Sequence, residues 1–360
     1  MSLVNTRIQN IRSNSRLDKF ELRPSRYGAL NLFMDQSQDP NGILTPELVE
    51  KARTSIGNTL ETPVINYDAN ISIGNTRSVT IADSENTSAM VQFSFTTYSW
   101  GFTVTPAMYM NNEISIQRDF EAKMMKYIYK FASTLDKAAL AALAAAKTQV
   151  MANPLFYTFG SNTISAGWLQ RENLLGDLNV MMEANDFFGQ LHVVGDAGVQ
   201  SIVRKLAQKD LYNIENKHNE WGDKVFHFTN GITAAEKTFA QGYAVQQGSV
   251  GLLTRFERDS ILGTRSGDGH EWGIATLPVL NMPVGTYFYD SVDDYNTIAG
   301  AATADLTRTR KEHYGFAIDV CFVTAYNSSP SKLASPIIAF NVGYDATTDK
   351  LGLVVNNVGQ

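Results

Sequence analysis

Five histidines, a single cysteine and a few acidic and glycine clusters are the residues of this 360-residue chain whose types could do chemistry. His192, His218, His227, His270 and His313 never fall at the helical spacing that places two metal ligands on one face. His192 and His227 lie in apolar, strand-like runs, where a hydrogen-bonded structural histidine is expected. The stretch Gly267-Asp268-Gly269-His270-Glu271-Trp272-Gly273 fits neither G-x-G-x-x-G nor the P-loop spacing and lacks a following helix pattern, so it reads as a surface turn. Asp290, Asp293 and Asp294 would offer carboxylate oxygens to a cation, but without the full calcium loop an acidic strand-end turn is the simpler reading. Cys321, flanked by Ile318, Val320, Phe322 and Val323, reads as a small hydrophobe in a buried strand. With no second cysteine, an intrachain disulfide is excluded. No G-x-S-x-G, zinc signature or paired-carboxylate motif occurs. These residues point to no catalytic centre, metal or cofactor.

Composition bounds the rest. With 44% apolar and 11% aromatic residues, the chain has ample material for a sizeable core and is not disordered throughout. Asn5, Arg7, Gln9, Asn10 and Arg12 interrupt any signal-peptide core, and the apolar run Ala138–Ala146 between Lys137 and Lys147 is too short to span a bilayer. The reading is of a soluble protein made in a cytosol. The net charge of −6 is unevenly spread. Residues 1–26 hold Arg7, Arg12, Arg16, Lys19, Arg23 and Arg26 against Asp18 and Glu21, a balance of +4 that leaves −10 for the remainder. Such an acidic body does not bind DNA along its length. The basic arm either touches nucleic acid, lies along an acidic groove of an adjacent subunit, or is a solvated tail; the acidic body favours the groove.

The elements follow a distinctive order. Residues 1–63 read as an arm with one short helix, where Thr45 caps and Pro46 takes the first helical position. Residues 64–105 read as a long β-ribbon with a polar tip at Asp83–Ser88. Its return strand puts Val91, Phe93 and Phe95 on one parity and Tyr98, Trp100, Phe102 and Val104 on the other, a slip near Thr96-Thr97 that implies a bulge or twist. Because a two-stranded ribbon is marginal alone, Tyr98, Trp100, Phe102 and Val104 are expected to need surfaces that neighbouring subunits would supply. The subunit-interface candidates are therefore Phe93, Phe95, Tyr98, Trp100 and Phe102, with Arg7, Arg12 and Arg16 of the arm and Arg77 of the ribbon.

After Pro106, apolar residues from Ile116 through Phe120, Met124, Ile128, Phe131 and Leu135 to Val150 recur three or four apart. With Asn111 or Asn112 as cap, the pattern predicts a helix over about 112–150, roughly 57 Å long at the usual rise. Its Ala-rich second half and mean spacing argue against a coiled coil. Asn153-Pro154 ends it, and from Trp168 the chain reads as α/β. A helix from Trp168 to Met182 leads to strand Leu191–Val194, then Gly195-Asp196 as turn and cap, then helix Gly198–Gln208. Strands are expected near 225–228, 243–246, 272–279 and 286–289, with a helix near Val250–Leu262. Strands Gly315–Tyr326 and Pro336–Val342 are expected to return to the long helix and finish its sheet.

In this order of parts the chain resembles the major capsid proteins of tailed bacteriophages, with the α+β Hong Kong 97-type fold. The resemblance covers essentially the whole chain and lies in architecture, with Leu191–Asp196 and Val199–Leu206 similar to the family's axial-domain strand and helix. It implies an N-terminal arm at 1–63, an E-loop at 64–105, a peripheral (P) domain with the spine helix at 106–165, an axial (A) domain at 166–312, and returning strands at 313–360. It also implies self-assembly into hexamers and pentamers of an icosahedral shell. Such a virion shell would be assembled in the bacterial cytoplasm around double-stranded DNA held without sequence specificity. The resemblance brings a portal protein, often a scaffolding protein, and no membrane. A short arm without a coiled-coil pre-domain favours a separate scaffold.

Some members of that family weld subunits through an E-loop lysine, yet no lysine occurs between Lys51 and Lys123. Arg77 cannot replace an amine nucleophile. Non-covalent shell stability is the expectation, with room for a separate decoration protein. The nearest rival is an encapsulin-like compartment shell; length, ribbon and basic arm favour the virus. From another class, an α/β enzyme with an inserted β-ribbon would form a small discrete oligomer, and a fibre or adhesin fits poorly with the long helix.

Overall fold

A computed structural model of the chain describes residues 3–13, 27–39, 42–55, 57, 59–66, 87–106, 116–147, 157–160, 162–184, 187–211, 224–233, 238–256, 270–278, 280–294, 308–324 and 336–343. In chain order, its first elements are helices α1 (Leu3–Ser13), α2 (Gly28–Gln36) and α3 (Pro46–Thr54), then strands β1 (Thr59–Asn66), β2 (Thr87–Ser94) and β3 (Thr96–Val104). The long helix α4 (Ile116–Ala146) follows, then β4 (Thr158–Gly160), β5 (Thr163–Ala166), helix α5 (Arg171–Glu183), β6 (Leu191–Gly195), helix α6 (Ala197–Leu211) and β7 (Lys224–Phe228). The last elements are β8 (Thr238–Gln246), β9 (Val250–Arg255), β10 (His270–Thr276), β11 (Pro283–Asp294), β12 (Arg308–Thr324) and β13 (Ile337–Gly343). The chain divides into two compact units, the first made of residues 1–23, 95–134 and 254–321 and the second of the remainder.

The first unit is built on β3, β12, β11 and β10, antiparallel in that order. Cross-strand partners Trp100↔Phe316 and Phe102↔Tyr314 put aromatic rings side by side on one face. Against that face lies the first half of α4. Trp100 sits 4.4 Å from Phe131 and stacks on Phe316 at 5.5 Å, while Phe102 meets Phe120 and Tyr127. Phe120, Met124 and Ile128 of α4 are fully buried at the spacing the sequence shows. Burying a side chain like Phe102 contributes about 2 kcal/mol. Here is one correction: Phe102 and Val104 are 9% and 0% exposed within their own chain and need no neighbour to cover them.

The N-terminal segment holds three helices in place of the single one expected. In α1, Val4, Ile8 and Ile11 form one buried stripe. In α2, Ala29, Leu30, Leu32 and Phe33 are all fully buried. Only α3 carries a textual start signal, and it forms as expected: the Leu48 amide donates to Thr45 Oγ1 at 3.3 Å and Pro46 occupies the first turn. The described part of α4 covers 31 residues, roughly 46 Å. Asn111, Asn112 and Asn153-Pro154 lie outside the described residues.

The second unit contains a six-stranded mixed sheet in the order β4-β5-β13-β8-β6-β7. Leu174, Leu178 and Met182 of α5 and Val199 and Ile202 of α6 join Val193, Ala244 and Phe340 in its core. The Asp196 carboxylate caps α6 by accepting from the Val199 amide at 2.9 Å, as its position after β6 predicts. At Gly198 a Cβ would stand 2.0 Å from the Phe239 carbonyl, so only glycine lets α6 start this close to β8.

Two further expectations are corrected here. Residues 250–255 form strand β9, not a helix, because Val250, Gly251, Leu252 and Leu253 are buried on both faces and such a run carries no period. β13 joins the sheet of β5 and β8, while β12 alone joins β3. The second unit also contains the two-stranded sheet β1-β2, paired in register from Thr59↔Ser94 to Asn66↔Thr87. Its polar tip lies almost wholly outside the described residues.

Candidate assembly surface

The nine interface candidates separate into groups. Phe93 pairs with Leu60 at the base of the β1-β2 ribbon, and the two are 7% and 3% exposed. Phe95 occupies the break between β2 and β3, where the parity slip falls, and is 6% exposed beneath the Arg255 guanidinium, 4.4 Å from the ring centre. Arg255 is held in turn by Asp319 at 2.8 Å. Tyr98, Trp100 and Phe102 face α4, and Tyr98 meets Phe131 edge-on at 6.2 Å. Burial pushes the Tyr98 hydroxyl pKa above its ordinary value.

Arg7 of α1 places its guanidinium over Phe120 and Tyr314 and pairs with Glu312 at 2.8 Å. The Tyr314 hydroxyl donates to the same Glu312 oxygen at 2.7 Å, and burial raises its pKa strongly. Part of the basic arm thus folds onto an acidic residue of its own chain. The Arg12 side chain, Arg16 and Arg77 lie outside the described residues.

The opposite face of the same sheet carries the other parity. Ser99 and Gly101 of β3 are exposed, and Gly315 and Ala317 of β12 and Gly285 of β11 continue a floor almost free of side chains. At its edge stand Trp272 and Tyr287, 5.1 Å apart between ring centres, followed by His270, Tyr289 and His313 in a row of ring contacts. Tyr287 Oη and His270 Nδ1 are 2.6 Å apart, and His313 is held by Thr103 and Ser291. Floor and wall enclose an open depression of about 600 Å³. Ile274, on the same parity as Trp272, is 39% exposed. Sequence reading missed this surface because it is assembled from three distant segments. The signal that could have found it is the alternation of β11, where Gly285, Tyr287 and Tyr289 share a face.

The groups singled out for chemistry are dispersed. Asp290 pairs with Arg310 at 2.6 Å, and Asp293 and Asp294 continue β11 opposite Thr309 and Arg308 instead of forming a turn. His270–Gly273 begin strand β10, while residues 267–269 and His218 lie outside the described residues. Burial lifts the Cys321 thiol to about 11, the value of an unreactive core cysteine. His192 and His227 meet across the parallel strands β6 and β7, Nδ1 to Nε2, at 3.1 Å. Among the described residues, no group of three or more His, Cys, Asp or Glu side chains is placed to hold a metal ion, and no helix is long and apolar enough to cross a membrane.

No family model and no curated protein matches the chain. Solved structures do. The capsid asymmetric unit of Cyanophage Pam1 is similar over 89% of this chain and 93% of that one, at 12% identity and a TM-score of 0.50. Weaker likenesses are to the capsid of Ralstonia phage GP4, at 11% identity over 83% and 87% with a TM-score of 0.43, and to the Cyanophage P-SCSP1u capsid, at 10% over 82% and 87% with a TM-score of 0.44. At these identities the likeness is one of fold: the α+β architecture of this chain is that of a phage capsid structure.

Proposed function

We propose that this chain is the major capsid protein of a tailed bacteriophage, a structural subunit that forms hexamers and pentamers of an icosahedral shell around double-stranded DNA. The observation that carries the reading is the correspondence, over nearly the whole of both chains, with the Cyanophage Pam1 capsid asymmetric unit. In this reading residues 1–63 are the arm, 64–105 the E-loop, 106–165 and 313–360 the P domain, and 166–312 the A domain. Portal, separate scaffold and decoration proteins would be its partners, and the virion its location.

Two surfaces support assembly. Among the described residues the β1-β2 ribbon pairs with no third strand, and ribbons of this kind are marginal without cover. The glycine-floored face of the first unit offers backbone and aromatic rings to a flat partner, and a second copy of the chain is the occupant we assign to it. Repetition around a shell converts modest contacts into a durable container. The shell is held without covalent links, since residues 52–122 contain no lysine.

Sedimentation and negative-stain electron microscopy of the chain, expressed alone and with its genomic neighbours, test the reading. Closed shells or hexameric and pentameric capsomers are expected, and nuclease-resistant DNA within them distinguishes a virus from a protein compartment. A homogeneous monomer or dimer under both conditions would return the enzyme reading. Denaturing gels of intact particles should show a single band, and a ladder of multimers would refute the non-covalent shell.

A further inference from the structure

Helix α2 is fastened at both ends by buried polar groups of different chemistry. At its start, Asp136 of α4, 1% exposed, accepts from the amides of Ala29 and Leu30 at 3.0 and 3.1 Å and from the Thr229 hydroxyl. The helix approaches β7 so closely there that a Cβ on Gly28 would stand 2.6 Å from the Phe228 carbonyl oxygen. At its end, Gln36, 4% exposed, enters a chain of hydrogen bonds whose direction is fixed by one unambiguous donor. The Gly248 amide donates to Gln36 Oε1, so the amide nitrogen of Gln36 must donate to His192 Nε2, 3.0 Å away. His192 therefore carries its proton on Nδ1 and donates it to His227 Nε2 at 3.1 Å.

This order of protons leaves no room for another. A proton added to His227 Nε2 faces the N–H of His192, and one added to His192 Nε2 faces the amide of Gln36. Flipping Gln36 only moves the conflict, because its NH₂ then meets the Gly248 amide. We propose that Gln36, His192 and His227 form an acid-labile joint, which frees the end of α2 and the segment after it from the β8–β9 turn while Asp136 keeps the start of the helix docked.

Three further contacts to the same turn and strand go with it: Ser37 accepts from the Leu252 amide at 2.6 Å, Asp39 accepts from Gln247 Nε2 at 2.9 Å, and the Ile43 amide donates to the Gly248 carbonyl at 2.8 Å. The charged groups acting on His192 from this segment are Asp35 and Asp39, both favouring its protonation. Lys224 lies at the opposite end of β7 from His227, and Asp196, past the end of β6, accepts from the Val199 amide.

Burial first, and for His192 also the neighbouring ring, lowers both histidines from 6.5 to about 4. The sign follows: the unfastened joint takes up protons that the fastened one refuses, so its stability is full above about pH 6.5 and declines as pH falls toward 4. Asp136 behaves oppositely. Burial raises its pKa, and a proton on Oδ2 leaves Oδ1 free to accept from Ala29 and Leu30.

Hydrogen exchange of the full chain by mass spectrometry, with fragmentation to separate residues 28–33 from 34–39 and rates corrected for intrinsic pH dependence, tests the joint. Between about pH 7 and about pH 4.5, protection at 36–39 and 43 should fall by more than about tenfold, while Ala29 and Leu30 keep theirs. The double variant H192Q/H227Q, which cannot titrate, should lose the pH step. D35N, at an exposed position, removes a carboxylate that favours the proton and should shift the fall to lower pH. Equal loss at both ends of α2, no loss at 36–39, a double variant with the parent profile, or an unshifted D35N would each overturn the proposal.

Discussion

The two faces of the sheet formed by β3, β12, β11 and β10 are made by alternate residues of the same strands, yet they do opposite work. One packs Trp100, Phe102, Tyr314 and Phe316 against α4. The other leaves Gly101, Gly315 and Ala317 as a floor beside Trp272 and Tyr287. An aromatic residue is thus no guide to an interface by itself. What decides is whether its own chain already covers it.

Substitutions on the two faces should therefore differ in kind. The largest effect belongs to Phe102→Ala, which removes a ring at the centre of the covered face and should cost about 3–5 kcal/mol in urea unfolding of the unassembled subunit. A loss under about 1 kcal/mol would mean that the ring is not packed as described. Arg7→Ala comes next. It leaves Glu312 buried with the Tyr314 hydroxyl and, 3.9 Å away, the more exposed Arg310 as partners, and should destabilise by about 3 kcal/mol, less than Phe102→Ala because the pair retains some exposure and a second cation. Glu312→Gln should recover part of that loss in the Arg7→Ala background, since the neutral amide needs no counter-charge. On the uncovered face, Tyr287→Ala should lower the unfolding free energy by less than about 1 kcal/mol. It should nevertheless reduce the sedimenting assembled fraction, whereas unchanged assembly would remove this face from the interface. Smallest of all, Cys321 in the native chain should not react with a thiol reagent at about pH 8, because its thiol stays protonated and buried, and should react fully once urea is added.

Much of this contrast was legible in the chain. Alternation in 98–104 identified a face, the spacing from Phe120 to Leu135 identified the helix that covers it, and Thr45-Pro46 and Asp196 marked two helix starts. Alternation tells two faces apart but not which one is covered. That is why Phe102 reads as a candidate for a partner when α4 already covers it, while Tyr98 and Trp100 touch α4 and stay partly exposed. The stripe of Val4, Ile8 and Ile11 was present but sat among polar residues in a segment that read as an arm. The histidine pair was out of reach for another reason. His192 and His227 meet only through the register of two parallel strands, which the turn and helix between them do not encode.

The Arg7–Glu312 bond joins residues 305 positions apart. On a ribosome, α1 therefore emerges well before the carboxylate that its arginine binds. At about 5–20 residues per second the interval is roughly 15–60 s, during which Arg7 can reach Phe120 of α4 but not yet its carboxylate partner. Each nascent chain therefore carries a clock: the Arg7–Glu312 bond of α1 reports whether β12 has been made.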